Sequence, residues 1–299
     1  MATKNQRDIQ PSNSSDALFR AWCVFLRDAV LNGWVQTSDT GQMDFTTVTA
    51  PGAANTKKGY IIVRMDDSLQ GSFPVYMRID FGSGNVTNSP GIWLEIGTGS
   101  NGSGTITGSV FANGATTHIY TGSNGTGRTN SSHSSTSTSH VAVTLFLEST
   151  ATFGTTFSVE RGRDSAGAMI GTHVFLQYAA GASAGTVNQF HYLVRSGGTQ
   201  VGAAAAAVIT CPFRPAHAQQ DVGFGVVVPQ KPGSGTLVVP APPCLGYIGT
   251  EGDSWTTDAV IIVYMYGVPV VYRRLHNFRF VSVSGNAAVS SHVFWQRYD

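Results

Sequence analysis

Asp66, Asp67, Asp80, Glu95, Glu148, Glu160 and Asp164 are the carboxylates of the central part of this chain. Two carboxyl groups held about 5 to 10 Å apart would suit acid and base or nucleophile work on a glycosidic bond. Asp66 and Asp67 are adjacent, so at a strand end they point to opposite faces, and with Ser68 they read as a turn. The other pairings carry no spacing signal, and a polysaccharide hydrolase ranks last among the functions considered. His133 and His140 stand seven residues apart in a Ser/Thr run with no carboxylate or thiol beside them. An extended chain puts them on opposite faces, which is poor geometry for a metal.

Two glycine patterns have the form of known sites. Gly97 to Gly102 reads G-x-G-x-x-G after an apolar run, but the dinucleotide fingerprint needs a helix to follow and an acid about 20 residues on. Here Ser103 to Gly108 cannot start a helix and the next acid is Glu148. Gly181 to Gly185 reads G-x-S-x-G, the nucleophile-elbow pattern, with Asp221 or Asp253 and then His276 in the right order. That elbow also needs a helix after its serine, and Thr186 to His191 reads as turn and strand. The expectation is therefore no enzyme, no cofactor and no metal. Arg161, Arg163 and Asp164 read as an ion-paired hairpin turn.

The composition says more than these motifs. Charged residues are 12% of 299, against about 25% in ordinary soluble domains. Between Glu95 and Glu148 there is no acid and no lysine. Formal net charge is +1, and Lys57-Lys58 and Arg273-Arg274 are the adjacent basic pairs, which is too little clustering for phosphate neutralisation by a nucleic-acid-binding protein. No run approaches the ~18 apolar residues of a membrane helix, so no membrane insertion is expected. Charged Met1 to Asp8 is followed by no apolar stretch, hence no signal peptide is expected. Cys23, Cys211 and Cys244 form no C-x-x-C pair and fit reduced thiols of a protein made in cytoplasm.

One helix is expected, at residues 15–33, after a flexible polar leader at 1–14. Ser15 or Asp16 supplies the cap, and Asn32-Gly33 the stop. Leu18, Phe19, Trp22, Phe25, Leu26, Ala29 and Val30 recur at spacings of three and four and make one apolar face. That face either packs on its own domain or docks on a neighbour, with Leu18, Phe19, Trp22, Phe25 and Leu26 as interface residues.

From Trp34 on the period falls to two. Val75, Met77, Ile79 and Phe81 alternate with Tyr76, Arg78 and Asp80, the pattern of a half-buried strand. Similar runs occupy residues 60–65, 92–96, 155–160, 173–178, 190–194 and 278–283. The runs 141–147 and 259–266 are apolar on both faces and read as central strands, the second opening a hairpin into 268–272. Residues 203–207 read as strand entry. The fold expected is all-β, antiparallel sheets of the β-sandwich or jelly-roll kind over residues 34–299. A Gly/Ser/Thr-rich arm at 97–140 is expected to be exposed or to contact a second subunit. The Pro-rich stretch 229–243 is expected to be a covering connection.

Four segments resemble structural proteins of tailed-bacteriophage particles, of the tail- or baseplate-associated type. They are Gly33 to Gln42 (GWVQTSDTGQ), Ser68 to Gly84 (SLQGSFPVYMRIDFGSG), Pro90 to Gly99 (PGIWLEIGTG) and Val159 to Gly167 (VERGRDSAG). The likeness covers roughly residues 30 to 170 and contains no catalytic motif. It implies a virion subunit made in the host cytoplasm, partnered by copies of itself and by other virion proteins. A capsid decoration or head-associated protein shares these features. A host-glycan-binding module is a further alternative, with Trp93, Tyr120 and Trp255 as stacking platforms.

Overall fold

The computed structural model describes residues 3–84, 87, 89–115, 118–120, 130–136, 140–147, 155–163, 169–179, 187–195, 200–204, 208–211, 223–227, 244–248, 260–265, 268–274 and 292–297. They form antiparallel sheets with one helix. The smaller of the two sheets near the N-terminus is built from β2 (Trp34–Gln36), β3 (Thr56–Met65), β4 (Tyr76–Ser83), β5 (Pro90–Gly97) and β8 (Phe111–Ala112), in that order, with β9 (Ile119–Tyr120) also paired to β5. Between β5 and β8 lies a short hairpin of β6 (Gly99–Ser100) and β7 (Ile106–Thr107).

The larger sheet runs β1 (Thr3–Ile9), β10 (Asn130–Thr136), β11 (His140–Leu147), β12 (Thr155–Arg163), β13 (Met169–Ala179), β14 (Val187–Arg195) and β15 (Gln200–Ala204). A third sheet has the order β16 (Val208–Cys211), β17 (Gly223–Val227), β18 (Cys244–Ile248), β21 (His292–Arg297), β20 (Val268–Arg274) and β19 (Val260–Met265). In the first two sheets, β2 to β5 and β10 to β15 pair in chain order as meanders, whereas β1 pairs β10 and both β8 and β9 pair β5. The runs read as strands at 278–283 and as a Pro-rich connection at 229–243 lie outside the described residues, as does the loop 181–185.

Helix α1 (Asp16–Val30) starts where Ser15 caps it, the Ser15 hydroxyl accepting from the Leu18 N–H at 3.3 Å. It ends in a bond from the Leu31 N–H to the Arg27 carbonyl, 2.9 Å, and the chain turns away at Gly33 with φ of +94°. A Cβ at Gly33 would sit 2.6 Å from the Thr136 methyl and 3.1 Å from Val141. Glycine is therefore needed twice over, for the left-handed φ and for the close approach to β10 and β11.

The apolar face of α1 is taken up by the chain itself. Phe19, Trp22, Phe25, Leu26, Ala29 and Val30 share one core with Ile61 and Val63 of β3, Val75, Met77, Ile79 and Phe81 of β4 and its approach, and Ile92, Leu94 and Ile96 of β5. Val141, Val143, Phe157, Val159, Val174 and Leu176 of the larger sheet close the same core. Of the five residues expected to form a docking face, Phe19, Trp22, Phe25 and Leu26 are thus buried in their own domain, because both flanking sheets offer apolar rows at matching depth. Leu18 alone of the five is outward, 50% exposed.

The leader expected at 1–14 is replaced over Thr3–Ile9 by an edge strand, paired antiparallel with β10 from Thr3 opposite Thr136 to Ile9 opposite Asn130. Its residues lack apolar alternation because a strand at a sheet edge draws on backbone pairing more than on side-chain burial. The arm expected at 97–140 to be exposed or to contact a second subunit is folded back on its own chain at several of its described residues. Ile106, Phe111 and Ile119 are buried, and β8 and β9 add to the edge of β5.

Candidate functional site

Among the described residues, the richest group of polar side chains lies on the face of β3–β5 turned away from the core. Antiparallel register sets Tyr60 opposite Asp80 and Asp80 opposite Trp93, with Ile62, Arg78 and Glu95 as the next row. Alternation predicts this much: when Ile61, Ile79 and Phe81 point inward, their neighbours must point out.

Two loops cover that face. Residues 37–43 leave β2 and cross β3, held by the Thr37 N–H on the Ile62 carbonyl (2.9 Å) and the Met43 N–H on the Tyr60 carbonyl (2.8 Å). The β6–β7 hairpin closes from the other side, Thr98 N–H to Thr107 carbonyl at 3.0 Å. Its turn is an Asx type, Asn101 Oδ1 accepting from Ser103 and Thr105 N–H groups at 2.9 and 3.0 Å. So Gly97 to Gly102 opens a β-hairpin and leads to no helix N-terminus.

Asp39 joins the two loops. Its Oδ1 accepts from the Thr37 hydroxyl at 2.6 Å and the Ser100 hydroxyl at 2.8 Å, and its Oδ2 from the Gly104 N–H at 3.3 Å. Burial alone would raise its pKa, but the hydroxyl and backbone donors outweigh it and hold the carboxyl below the ordinary 3.8. A depressed folded-state pKa means stabilisation that is complete above the unfolded value and lost as pH falls through the folded one. The protection of the 98–108 amides against hydrogen exchange, corrected for intrinsic rates, is accordingly expected to be flat from neutral pH down to the ordinary aspartate range and to fall below it. An Asp39→Asn chain should exchange faster at neutral pH and lose that acid response. Equal profiles for the two chains would show that Asp39 does not fasten the hairpin.

Arg78 and Asp80 lie under the hairpin. The Arg78 guanidinium meets Asp80 Oδ1 at 2.7 Å, stacks 4.0 Å from the centre of the Tyr60 ring and donates to the Gly104 carbonyl. Lys57 reaches Asp80 Oδ2 at 3.0 Å and lies 5.3 Å from the Trp93 ring centre. The Tyr60 hydroxyl donates to the Thr40 carbonyl at 2.8 Å. Gly104, with φ of +95°, faces that hydroxyl so closely that any Cβ would overlap it. Gly104→Ala is therefore expected to cost about 1–3 kcal/mol, from the φ strain and the displaced Tyr60 together. A urea titration reads this; a change under ~0.5 kcal/mol would mean the hairpin sits further from Tyr60.

Chemically the group is a clamp. Each Asp39 and Asp80 oxygen already accepts from a donor of the chain. Asp44, on the neighbouring loop, is engaged by the Thr46 and Thr47 hydroxyls at 2.6 and 2.9 Å, which with the Thr46 N–H lower its pKa. Asp67 accepts from the Leu69 N–H at 3.1 Å in the turn expected there. Glu95 lies in the row of Arg78 and is partly exposed. Glu160 lies on β12, opposite His140 in the register, and His133 lies on β10 opposite Thr144. Glu148 and Asp164 fall outside the described residues.

Trp93 does not serve as a sugar platform. It is 1% exposed, its indole N–H donates to the Ala115 carbonyl at 3.0 Å, and the His118 ring packs against it at 5.7 Å. Ala115 and His118 lie against the ring, a contact between segments some 20 positions apart that leaves no local signature. Tyr120 lies on β9, and Trp255 lies outside the described residues. Sequence reasoning passed over Asp39, Lys57 and Tyr60. The one signal available for Asp39 was its place in the turn-forming run Thr37 to Gly41.

Comparison with known proteins adds no relative: no protein-family model, no curated protein and no solved structure matches this chain.

Proposed function

We propose that this chain is a non-catalytic structural subunit of a tailed-bacteriophage particle, of the tail or baseplate region, that assembles as a symmetric homo-oligomer. One observation carries the reading: a β-rich chain of 299 residues with charged residues at 12% and none acidic between Glu95 and Glu148. Such a surface is poorly matched to standing alone in water and well matched to burial between subunits. The likeness of residues 30 to 170 to virion proteins points the same way. The engagement of Asp39, Asp44 and Asp80 by donors of the chain itself favours architecture over catalysis.

The finer fold belongs to this reading. Two meandering sheets that share one core with α1 support a sandwich-like layering. Host attachment, if this subunit takes part in it, falls to Tyr120 and Trp255, since Trp93 is covered.

Light scattering on the eluting peak of the full-length chain tests the proposal, together with electron microscopy of particles labelled with antibody to it. A discrete symmetric oligomer and label at the tail or its baseplate are expected. Label on the head would favour the decoration reading. A stable monomer that binds no other particle protein would overturn it.

A further inference from the structure

Among the described residues, the large apolar side chains left exposed are Leu18, Val260 and Ile262. Two of the three stand on one strand, and that strand is β19, last in the order of the third sheet. Among the described residues β19 pairs with β20 alone, from Val260 opposite Arg273 to Met265 opposite Val268. No described residue pairs with its other edge, the kind of edge that sheet proteins ordinarily blunt with charge, proline or a bulge. Val260 to Met265 (VIIVYM) has no charged residue, no proline and no glycine. Val260 and Ile262, 53% and 59% exposed, are two positions apart and so share one face. Ile262 sits opposite half-buried Val271 of β20, which extends the apolar face inward.

We infer that β19 is a self-pairing edge, joined antiparallel to β19 of a second copy about a twofold axis through Ile262, so that two six-stranded sheets become one. This rests on the self-assembly reading above and names its interface. A second copy is the occupant because symmetry and side-chain chemistry agree. A twofold perpendicular to a continuous sheet must place a residue opposite itself, since only then do facing side chains lie on the same side. Centring on Ile262 sets Ile262 against Ile262 of the partner subunit and Val260 against Tyr264 of the partner subunit. Those are an aliphatic pair and two aromatic with β-branched pairs, the combinations that stabilise neighbouring strands. With no charge on the strand, no like-charged pair meets across the axis. A charged partner would find nothing on this edge to recognise.

The test uses the full-length chain carrying Ile262→Lys, Ile262→Glu or Ile262→Cys. Because residue 262 faces its own copy, the lysine and glutamate chains are each expected to lose this contact, their mass by light scattering falling to half that of the unaltered assembly. An equimolar mixture of the two is expected to regain it. Ile262→Cys should give a covalent dimer on mild oxidation that the unaltered chain, with its three native cysteines, does not give. Should the charged chains fail to fold, judged by circular dichroism, the cysteine result decides. An unaltered chain that oligomerises, with Ile262→Lys of the same mass and no Ile262→Cys cross-link, overturns the β19 interface and leaves self-assembly standing. An unaltered chain that is monomeric at every concentration overturns both.

Discussion

Trp22→Ala is expected to be the most damaging single truncation in this chain, costing about 3–5 kcal/mol. Trp22 is fully buried on α1, its ring 6.0 Å from Phe19 and 6.5 Å edge-on to Phe81 of β4. The helix shares one core with both sheets, so a void at Trp22 loosens two interfaces together. Collapse cannot fill it cheaply, because Phe81 is also held edge-on by Phe45 at 5.8 Å. The midpoint of thermal unfolding should fall by roughly 5–8 °C for a chain of this size. Leu18→Ala, one turn away and half exposed, should shift it by about 1 °C or less. Similar shifts for the two would mean that α1 does not sit in the core as described.

Asp80→Ala is expected to cost about 2–3 kcal/mol and to release the β6–β7 hairpin. Removing one member of a buried ion pair leaves its partners desolvated and unpaired, typically at about 3–5 kcal/mol. Here the lower figure applies because the Lys57 side chain is 42% exposed and can turn to water. Arg78 cannot do so as readily, since it is stacked on Tyr60 and bonded to Gly104. The strain therefore passes to the hairpin. Limited proteolysis should cut the Asp80→Ala chain within 98–108 at a concentration of protease that leaves the unaltered chain intact. Adding Lys57→Ala should recover little, whereas Arg78→Leu in the same background should recover part of the loss. Resistance of Asp80→Ala to cleavage would show that the ion pairs and the hairpin are independent.

The sequence made some of this legible and hid the rest for physical reasons. Phe19, Trp22 and Leu26 fall at helical spacing, and Met77, Ile79 and Phe81 at strand spacing, because a one-sided element must repeat its apolar residues at its own period. The cap at Ser15 and the exit at Gly33 follow from the same local rules. What local patterning cannot carry is which covered face lies under which loop. Asp80 alternates with Ile79 and Phe81 like a solvent-facing residue, yet it is 5% exposed because loops 37–43 and 98–108 cross above it. Trp93 resembles an exposed platform until Ala115 and His118 are placed over it. Both misreadings come from contacts tens of residues apart. Thr3–Ile9 is the opposite case, a strand with no apolar period, formed by its partner's backbone.

That pairing of β1 with β10 sets a schedule for synthesis. Thr3 lies opposite Thr136 and Ile9 opposite Asn130, so the first strand leaves the ribosome long before its partner exists. At about 5–20 residues per second, the delay is on the order of ten seconds. During that interval the Val141, Phe157 and Val174 side of the core is missing too, and the apolar face of α1 has only β3–β5 to lie on. The nascent chain thus carries Phe19, Trp22 and Leu26 half covered until well past its midpoint, a natural landing place for a chaperone that binds exposed aromatic side chains.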